Sequence, residues 1–381
     1  METQASHKQR LLPRVRRAVL KVGSSILAGP NGINSTRIAS MAREICALRT
    51  RGLQIMVVSS GAVASGIGRL PASSRPPTVP QRQAAAAIGQ IDLMALYGKC
   101  FRRHEVNVAQ ILLTHDDLTN RKRYSNARHT IETLLNAGVV PIANENDTVA
   151  TDELNFGDND NLSALVAGLI EADLLVLLSD VPGLYTRDPR HNADAEVLHV
   201  VDASGRADSN FVTEGKGALG TGGMASKVAA AMKASAAGIP TIIADGVHSG
   251  VLPKVFDAGK TVGTLVLPKG DRLTRRKHWI AYTLKPGGAL VVDAGARDAV
   301  AQKGRSLLPS GLKEVQGKFE SGACVRCLDG DGREFARGLV NFSSAELDKI
   351  KGLHSSKIES ALGYKPADVV IHRNDMVLTG A

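Results

Sequence analysis

Lys21 and Lys227 stand in two Gly- and Ser-rich segments far apart in the chain, Ala18-Val19-Leu20-Lys21-Val22-Gly23-Ser24-Ser25 and Gly220-Thr221-Gly222-Gly223-Met224-Ala225-Ser226-Lys227. Small residues let backbone N–H groups come close to an anion, and an ammonium beside them adds a compact charge that can follow a moving phosphate. Two such devices suit phosphoryl transfer. Neither has the Gly-x-x-x-x-Gly-Lys-[Ser/Thr] form of a P-loop, although Gly215 and Gly220 share its glycine spacing. Taken singly, each segment reads equally well as a tight β–α turn.

Acceptors and donors also cluster at Asn144-Glu145-Asn146-Asp147-Thr148-Val149 and at Gly157-Asp158-Asn159-Asp160-Asn161. Asp and Asn in such places form turns, and Asn159 to Asn161 can cap a helix beginning near Leu162. A site for an amino acid needs the same groups, a carboxylate for the α-ammonium and amides for a carboxylate. The residues alone leave both readings open. Ser60, with the backbone amides of Gly61 and Ala62, can supply donors to an oxyanion.

The elements that must position these groups alternate from residue 18 to 270. Strands are predicted at Ala18 to Val22, Leu53 to Ser59, Val106 to Leu113, Val139 to Ala143, Leu174 to Leu178 and Thr241 to Ala244. Between them, helical periodicity begins at Asn34 or Ser35, with Ile38, Met41, Ile45 and Leu48 on one face, and recurs near 126–137, 161–171 and 225–237. Continuous apolar strands separated by helices predict an α/β fold, a mostly parallel sheet covered on both faces. Ligands of such sheets bind beyond the carboxyl ends of the strands, which is where Lys21, Ser60, Asn144 and Ser179-Asp180 fall.

At 381 residues the chain suits two or three domains. The basic stretch Arg272 to Lys277 and Lys285-Pro286-Gly287-Gly288 read as a linker. Short strands, a helix around Ala296 to Lys303 and the Asp-Gly pairs at 329–332 then predict a small, mostly β domain over 285–381. The expected organisation is a disordered tail over 1–17, a domain over 18–270, a linker over 271–284 and the β domain. The formal charge of +10 divides into +4 for residues 1–20, +3 for 271–284, +2 for 285–381 and +1 for the rest, so the excess reads as solvated runs and argues against a nucleic-acid surface. No apolar run reaches the roughly 20 residues of a bilayer span, and no signal-peptide core is visible, so the expectation is a cytoplasmic protein. Four cysteines fit a reducing compartment; Cys324 and Cys327 lie on a predicted strand, facing opposite ways, and Cys46 and Cys100 are isolated, so no zinc or other protein-held metal is expected. His104, His115 and His129 read as structural or surface histidines.

Val22-Gly23-Ser24-Ser25, Val58-Ser59-Ser60-Gly61-Ala62, Asn144-Glu145-Asn146-Asp147, Gly157 to Ala164, Ser179-Asp180-Val181-Pro182-Gly183-Leu184-Tyr185-Thr186-Arg187-Asp188-Pro189 and Gly220 to Met224 together resemble the amino-acid kinase family, in the form of its glutamate-phosphorylating branch. Gly295-Ala296, Ser306 to Gly311 and Gly317-Lys318-Phe319 resemble the PUA domain that follows in bacterial members. The resemblance runs from about Ala18 to the end, and the PUA-like part argues against aspartate or N-acetylglutamate as substrate. Ser24, Ser59 and Ser179 depart from the threonine common in the family but keep the hydroxyl.

The resemblance implies ATP-dependent phosphorylation of the γ-carboxylate of L-glutamate to L-glutamyl 5-phosphate, the first step of proline biosynthesis. On it, Lys21 and Lys227 neutralise the transferring group and Asp160 orients them. Ser60, Gly61, Ala62, Asn144, Asp147 and Asn159 bind glutamate. Lys21, Gly23, Ser179, Asp180 and the run Thr221, Gly222, Gly223, Met224, Ala225, Ser226 and Lys227 line the nucleotide. It further implies Mg²⁺ arriving with ATP, L-proline as feedback inhibitor and a homo-oligomer, dimer or tetramer. PUA domains elsewhere bind RNA, but the charge balance of 285–381 argues against that here.

Overall fold

The computed structural model describes residues 2–29, 32–69, 78–119, 121–150, 159–189, 191–203, 223–268 and 286–379. The chain divides into two compact units, Met1–Lys269 and Gly270–Ala381.

In the first unit the main sheet comprises β1 (Arg17–Val22), β2 (Gln54–Ser59), β3 (Val108–Leu113), β4 (Val140–Glu145), β5 (Leu174–Ser179), β6 (Val200–Asp202), β7 (Thr241–Asp245) and β8 (Thr264–Leu267). Their order in space is β6-β8-β7-β5-β1-β2-β4-β3. The six from β7 to β3 are mutually parallel; β8 runs antiparallel to β7 and carries β6 as the edge. The six expected strands are all present within one or two residues of their limits. The β6–β8 pair, which runs antiparallel to the rest of the sheet, was not foreseen, because its strands are only three and four residues long.

Side-chain alternation on β1 sends Ala18, Leu20 and Val22 to one face and Val19 to the other. The first face is covered by α3 (Ser35–Arg49), α5 (Val79–Arg102) and α9 (Val251–Val255). The second is covered by α6 (Arg121–Asn136), α7 (Asn159–Leu169) and α8 (Met224–Ala236). Leu20, Val57 and Val176 are fully buried, and each such side chain contributes about 1.5–3 kcal/mol. Lys21 shares the parity of Val19, so its side chain enters the face covered by α7 and α8.

The tail folds rather than staying disordered. Thr3 caps α1 (Gln4–Leu11) by accepting from the Ser6 amide. The Gln4 side chain accepts from the Val262 amide at 2.7 Å and donates to His199 O at 2.8 Å. Lys8, with no exposed surface, donates to Lys254 O in the last turn of α9 at 3.0 Å and to Lys260 O in the loop beyond it at 2.8 Å. These partners lie some 190 to 260 positions away, which is why local composition reads the tail as free.

A short helix, α4 (Ala62–Gly66), packs on α5 through paired glycines. A Cβ at Gly66 would stand 1.9 Å from Ala85 O, and one at Gly89 would stand 1.9 Å from Ala62 O. Gly61, with φ at +104°, turns the chain from β2 into α4.

The second unit has a five-stranded sheet: β9 (Gly288–Val292), β10 (Leu312–Gln316), β11 (Cys324–Leu328), β12 (Glu334–Leu339) and β13 (Met376–Leu378), ordered β10-β9-β11-β12-β13. The Asp-Gly turn joins β11 to β12, as expected. Its core, including Leu290, Val325, Phe342 and Ile371, is its own. Cys324 and Cys327 are both buried, and burial pushes the Cys327 thiol up to about 12. None of the four cysteines is in a disulfide among the described residues.

Gly89→Ala is expected to force α4 and α5 apart at a cost of about 1–3 kcal/mol. A Cβ at Gly168 in α7 would meet nothing within 4 Å, so Gly168→Ala is expected to be neutral or stabilising by up to about 1 kcal/mol. Denaturant unfolding of both variants checks the contrast, and equal effects would contradict the packing described.

Candidate active site

β1 places Lys21 between Val58 of β2 and Leu177 of β5, near the carboxyl edge of the sheet. Asp160 lies in the first turn of α7, and Ser226 and Lys227 in the first turns of α8. These helices pack against each other, and their N-termini open at that edge. Lys21 Nζ is 2.6 Å from Asp160 Oδ1, and Lys227 Nζ is 3.5 Å from Oδ2. Ser226 Oγ donates to Oδ2 at 2.7 Å. Asp160 is 1% exposed and both lysine side chains 7%. Burial pushes the Asp160 carboxyl up, but the two ammoniums and the Ser226 hydroxyl outweigh it and hold the group below the ordinary carboxylate range.

This cluster carries two positive charges against one negative. Gly23 and Gly223 stand at the N-caps beside it. Amides and ammoniums thus converge where an anion can be received.

A second group lies on the other side of β1. Asn159 Nδ2 donates to Ser60 Oγ at 3.0 Å and to Asn144 Oδ1 at 3.2 Å. Asn144 Oδ1 also accepts from the Glu145 amide at 2.9 Å, and Asn144 Nδ2 donates to Gln90 Oε1 at 2.8 Å. A backbone N–H can only donate, so Asn144 must turn its oxygen toward it and toward Asn159. Asn159 then spends both amide hydrogens, leaving its Oδ1 buried with no partner among the described residues. Ser60, already accepting, keeps its own hydrogen free to donate. The group therefore offers an acceptor at Asn159 and a donor at Ser60, as a ligand with an ammonium and a carboxylate requires.

Asp147, half-buried on the following turn, completes this side. Burial pushes its carboxyl up to about 6, Glu145 adds to the rise, and Arg82 opposes it. Asn144 is 2% exposed, with its side-chain atoms engaged by protein, so it faces other residues rather than an open cleft. Ser179, at the end of β5, is buried and donates to the exposed Asp180 at 3.1 Å. Gly61 and Ala62 follow Ser60 at the start of α4, and Met224 and Ala225 open α8. Thr221, Gly222, Gly157 and Asp158 lie outside the described residues.

The sequence reading missed the part that α5 plays in the site. Its Gln83 donates to Ala150 O at 3.1 Å, and Gln90 reaches Asn144. Fully buried Tyr97 meets Ser59 Oγ at 2.9 Å, while Ser59 donates to Ser60 O at 3.0 Å. Residues 83, 90 and 97 recur every seven positions on one helical face, a spacing that was available in the sequence.

The chain belongs to the amino acid kinase family, which matches residues 16–245, and the PUA domain matches residues 288–362. Within that family its relatives are glutamate 5-kinases. Those of Geobacter sp. (strain M21) and Geobacter metallireducens are 51% and 52% identical, covering 97% of this chain and 100% and 99% of their own lengths. That of Syntrophotalea carbinolica is 51% identical over 97% of this chain and 98% of its own.

Asp160→Asn removes the carboxylate that lies between two buried ammoniums, expected to cost about 3–5 kcal/mol of stability. Turnover is expected to fall about 10²-fold or more, because the lysines lose their common anchor. Steady-state kinetics alongside thermal unfolding checks this; near-normal kcat would show that Asp160 does not organise them.

Proposed function

We propose that the chain transfers the γ-phosphoryl group of ATP to the γ-carboxylate of L-glutamate, giving L-glutamyl 5-phosphate and ADP at the head of proline biosynthesis. The observation that carries this reading is the Lys21–Asp160–Lys227 cluster beside a pocket that pairs a buried acceptor, Asn159 Oδ1, with a free donor, Ser60. Relatives at about half identity, bearing the glutamate 5-kinase name over nearly the whole length, support it.

The nucleophile is a carboxylate oxygen already ionised at neutral pH, so no general base is needed. It attacks the γ-phosphorus as the bond to the β-phosphate oxygen breaks. The protein's task is to align two anions that repel and to neutralise the group in flight. Lys21 and Lys227 do this from two sides, with Asp160 fixing their spacing. Asp147 and Asn159 hold the substrate's α-ammonium, and Ser60 with the amides of Gly61 and Ala62 holds carboxylate oxygen. Ser179, Asp180, Gly23 and the residues from Thr221 to Lys227 line the nucleotide.

No group of three or more ligating side chains occurs among the described residues, and both Asp160 oxygens face lysines. Mg²⁺ would therefore be held by the nucleotide's phosphates and water, where it offsets their charge. L-Proline, an amino acid with the same ammonium and α-carboxylate, would fit the substrate loop as a feedback inhibitor. Exposed Ala84, Ala87, Ile91 and Ala95 on the outer face of α5 support association with a second copy. Among the described residues no helix is long and apolar enough to cross a membrane, and four cysteines outside any disulfide suit the cytoplasm.

The direct test is ATP turnover with glutamate, trapping the acyl phosphate as a hydroxamate. Faster turnover of aspartate or N-acetylglutamate would overturn the assignment. Lys21→Ala and Lys227→Ala are each expected to lower kcat about 10²-fold or more with a smaller change in KM.

The Asp147 carboxyl gives a pH signature. Free, it holds a proton up to about 6, whereas a bound ammonium favours the carboxylate. Substrate binding then expels that proton, so affinity is full above pH 6 and weakens below it. Glutamate KM is expected to rise about tenfold per unit of acidification there, before the substrate's own side chain titrates near 4.3. In Asp147→Asn, KM should be raised and the slope lost; a wild-type slope in this variant would remove Asp147 from the ammonium site.

A further inference from the structure

Gln90 is not in any of the glycine-rich or acidic motifs, and it touches neither lysine. It sits on α5, one residue past Gly89, whose missing side chain lets α4 and α5 meet. Its Oε1 takes the hydrogen of Asn144 Nδ2 at 2.8 Å. That bond and the Glu145 amide on Asn144 Oδ1 grip the Asn144 carboxamide at both ends. Nothing else described holds the nitrogen end.

Asn144 Oδ1 in turn receives Asn159 Nδ2, and Asn159 Nδ2 also donates to Ser60 Oγ. Without an acceptor at position 90, a buried N–H is left unsatisfied. The relief open to Asn144 is rotation about its last side-chain torsion, which turns its oxygen away from Asn159. Asn159 is then free to turn as well, and its acceptor no longer points consistently into the pocket. Tyr97, one further turn pair along the same face, holds Ser59 in a comparable way, so α5 bears on both strands that carry the pocket.

We propose that Gln90 is a positioning residue for the amino-acid substrate: it fixes the direction of the Asn144 carboxamide and, through it, which atom of Asn159 and which atom of Ser60 face the ligand. The inference rests on the reading that Asn159 and Ser60 bind glutamate. Gln90 touches no substrate atom, and its effect is on substrate affinity rather than on the transfer step.

The test compares Gln90→Leu, which keeps the bulk and removes the acceptor, with Gln90→Glu, which keeps an acceptor for Asn144 Nδ2. Asn144→Ala, the Gln90→Leu/Asn144→Ala double variant and Asn159→Ala complete the set, in the full chain, with glutamate KM, ATP KM and kcat measured for each. Gln90→Leu is expected to raise glutamate KM about tenfold, with ATP KM and kcat within about twofold of the parent. Gln90→Glu is expected to stay within about threefold, and the double variant to be no worse than Asn144→Ala, since the two residues act in series. An unchanged KM in Gln90→Leu while Asn159→Ala raises it would overturn the role of Gln90 and leave the glutamate pocket standing. Gln90→Glu as damaging as Gln90→Leu would reduce position 90 to packing. Asn159→Ala with an unchanged glutamate KM would remove the pocket reading, and this inference with it.

Discussion

An ion withdrawn from water needs opposite charge beside it, and Asp160, 1% exposed, meets that need between the Lys21 and Lys227 ammoniums. Three elements from distant parts of the chain must therefore converge to within a few ångströms, β1 beneath and the first turns of α7 and α8 above. The parity of β1 aims Lys21 at the right face, and the packing of α7 on α8 aims the other two. On the proposed reading, a phosphoryl group in transit brings further negative charge to these two ammoniums, so they favour the group most while it is being transferred.

The neighbouring pocket is governed by direction rather than charge. Carboxamides can present either end, and an unanchored network of them has several nearly equal states. Here the ambiguity is removed by a backbone amide, that of Glu145, whose polarity is covalently fixed. From it the orientation passes through Asn144 to Asn159 and Ser60. On the proposed reading, a pocket that must tell an ammonium from a carboxylate gains its discrimination from that fixed reference.

Much of this was legible in sequence because it follows from local rules. Apolar runs ending in polar motifs place Lys21, Ser60, Asn144 and Ser179 at the carboxyl edge of a parallel sheet, and Asn34 does cap α3. What was not legible depends on distant partners. The +4 of the first twenty residues suggested a solvated tail, yet Lys8 is spent on the carbonyls of Lys254 and Lys260, and Arg17 donates to Gln54 and to Ile170 O. Likewise the run Ala84 to Ala87 in α5 carries no local sign of the helix's purpose. The polar residues of α5 matter only through loops brought to them by the sheet.

The strand order itself divides the labour on the proposed reading. β1 lies between β2 and β5. β2 and β4, on one side, deliver Ser60, Asn144 and Asp147, while β5, on the other, delivers Ser179 and Asp180. The connection leaving β1 runs over one face through α3, whereas α8, on the opposite face, leads into β7 beside β5, so the sheet opens a crevice between β1 and β5. Two anionic ligands approaching from opposite sides of that crevice meet over Lys21, the one cation on the dividing strand that both can reach. The repulsion between them is therefore greatest at the point where the protein has placed its buried positive charge.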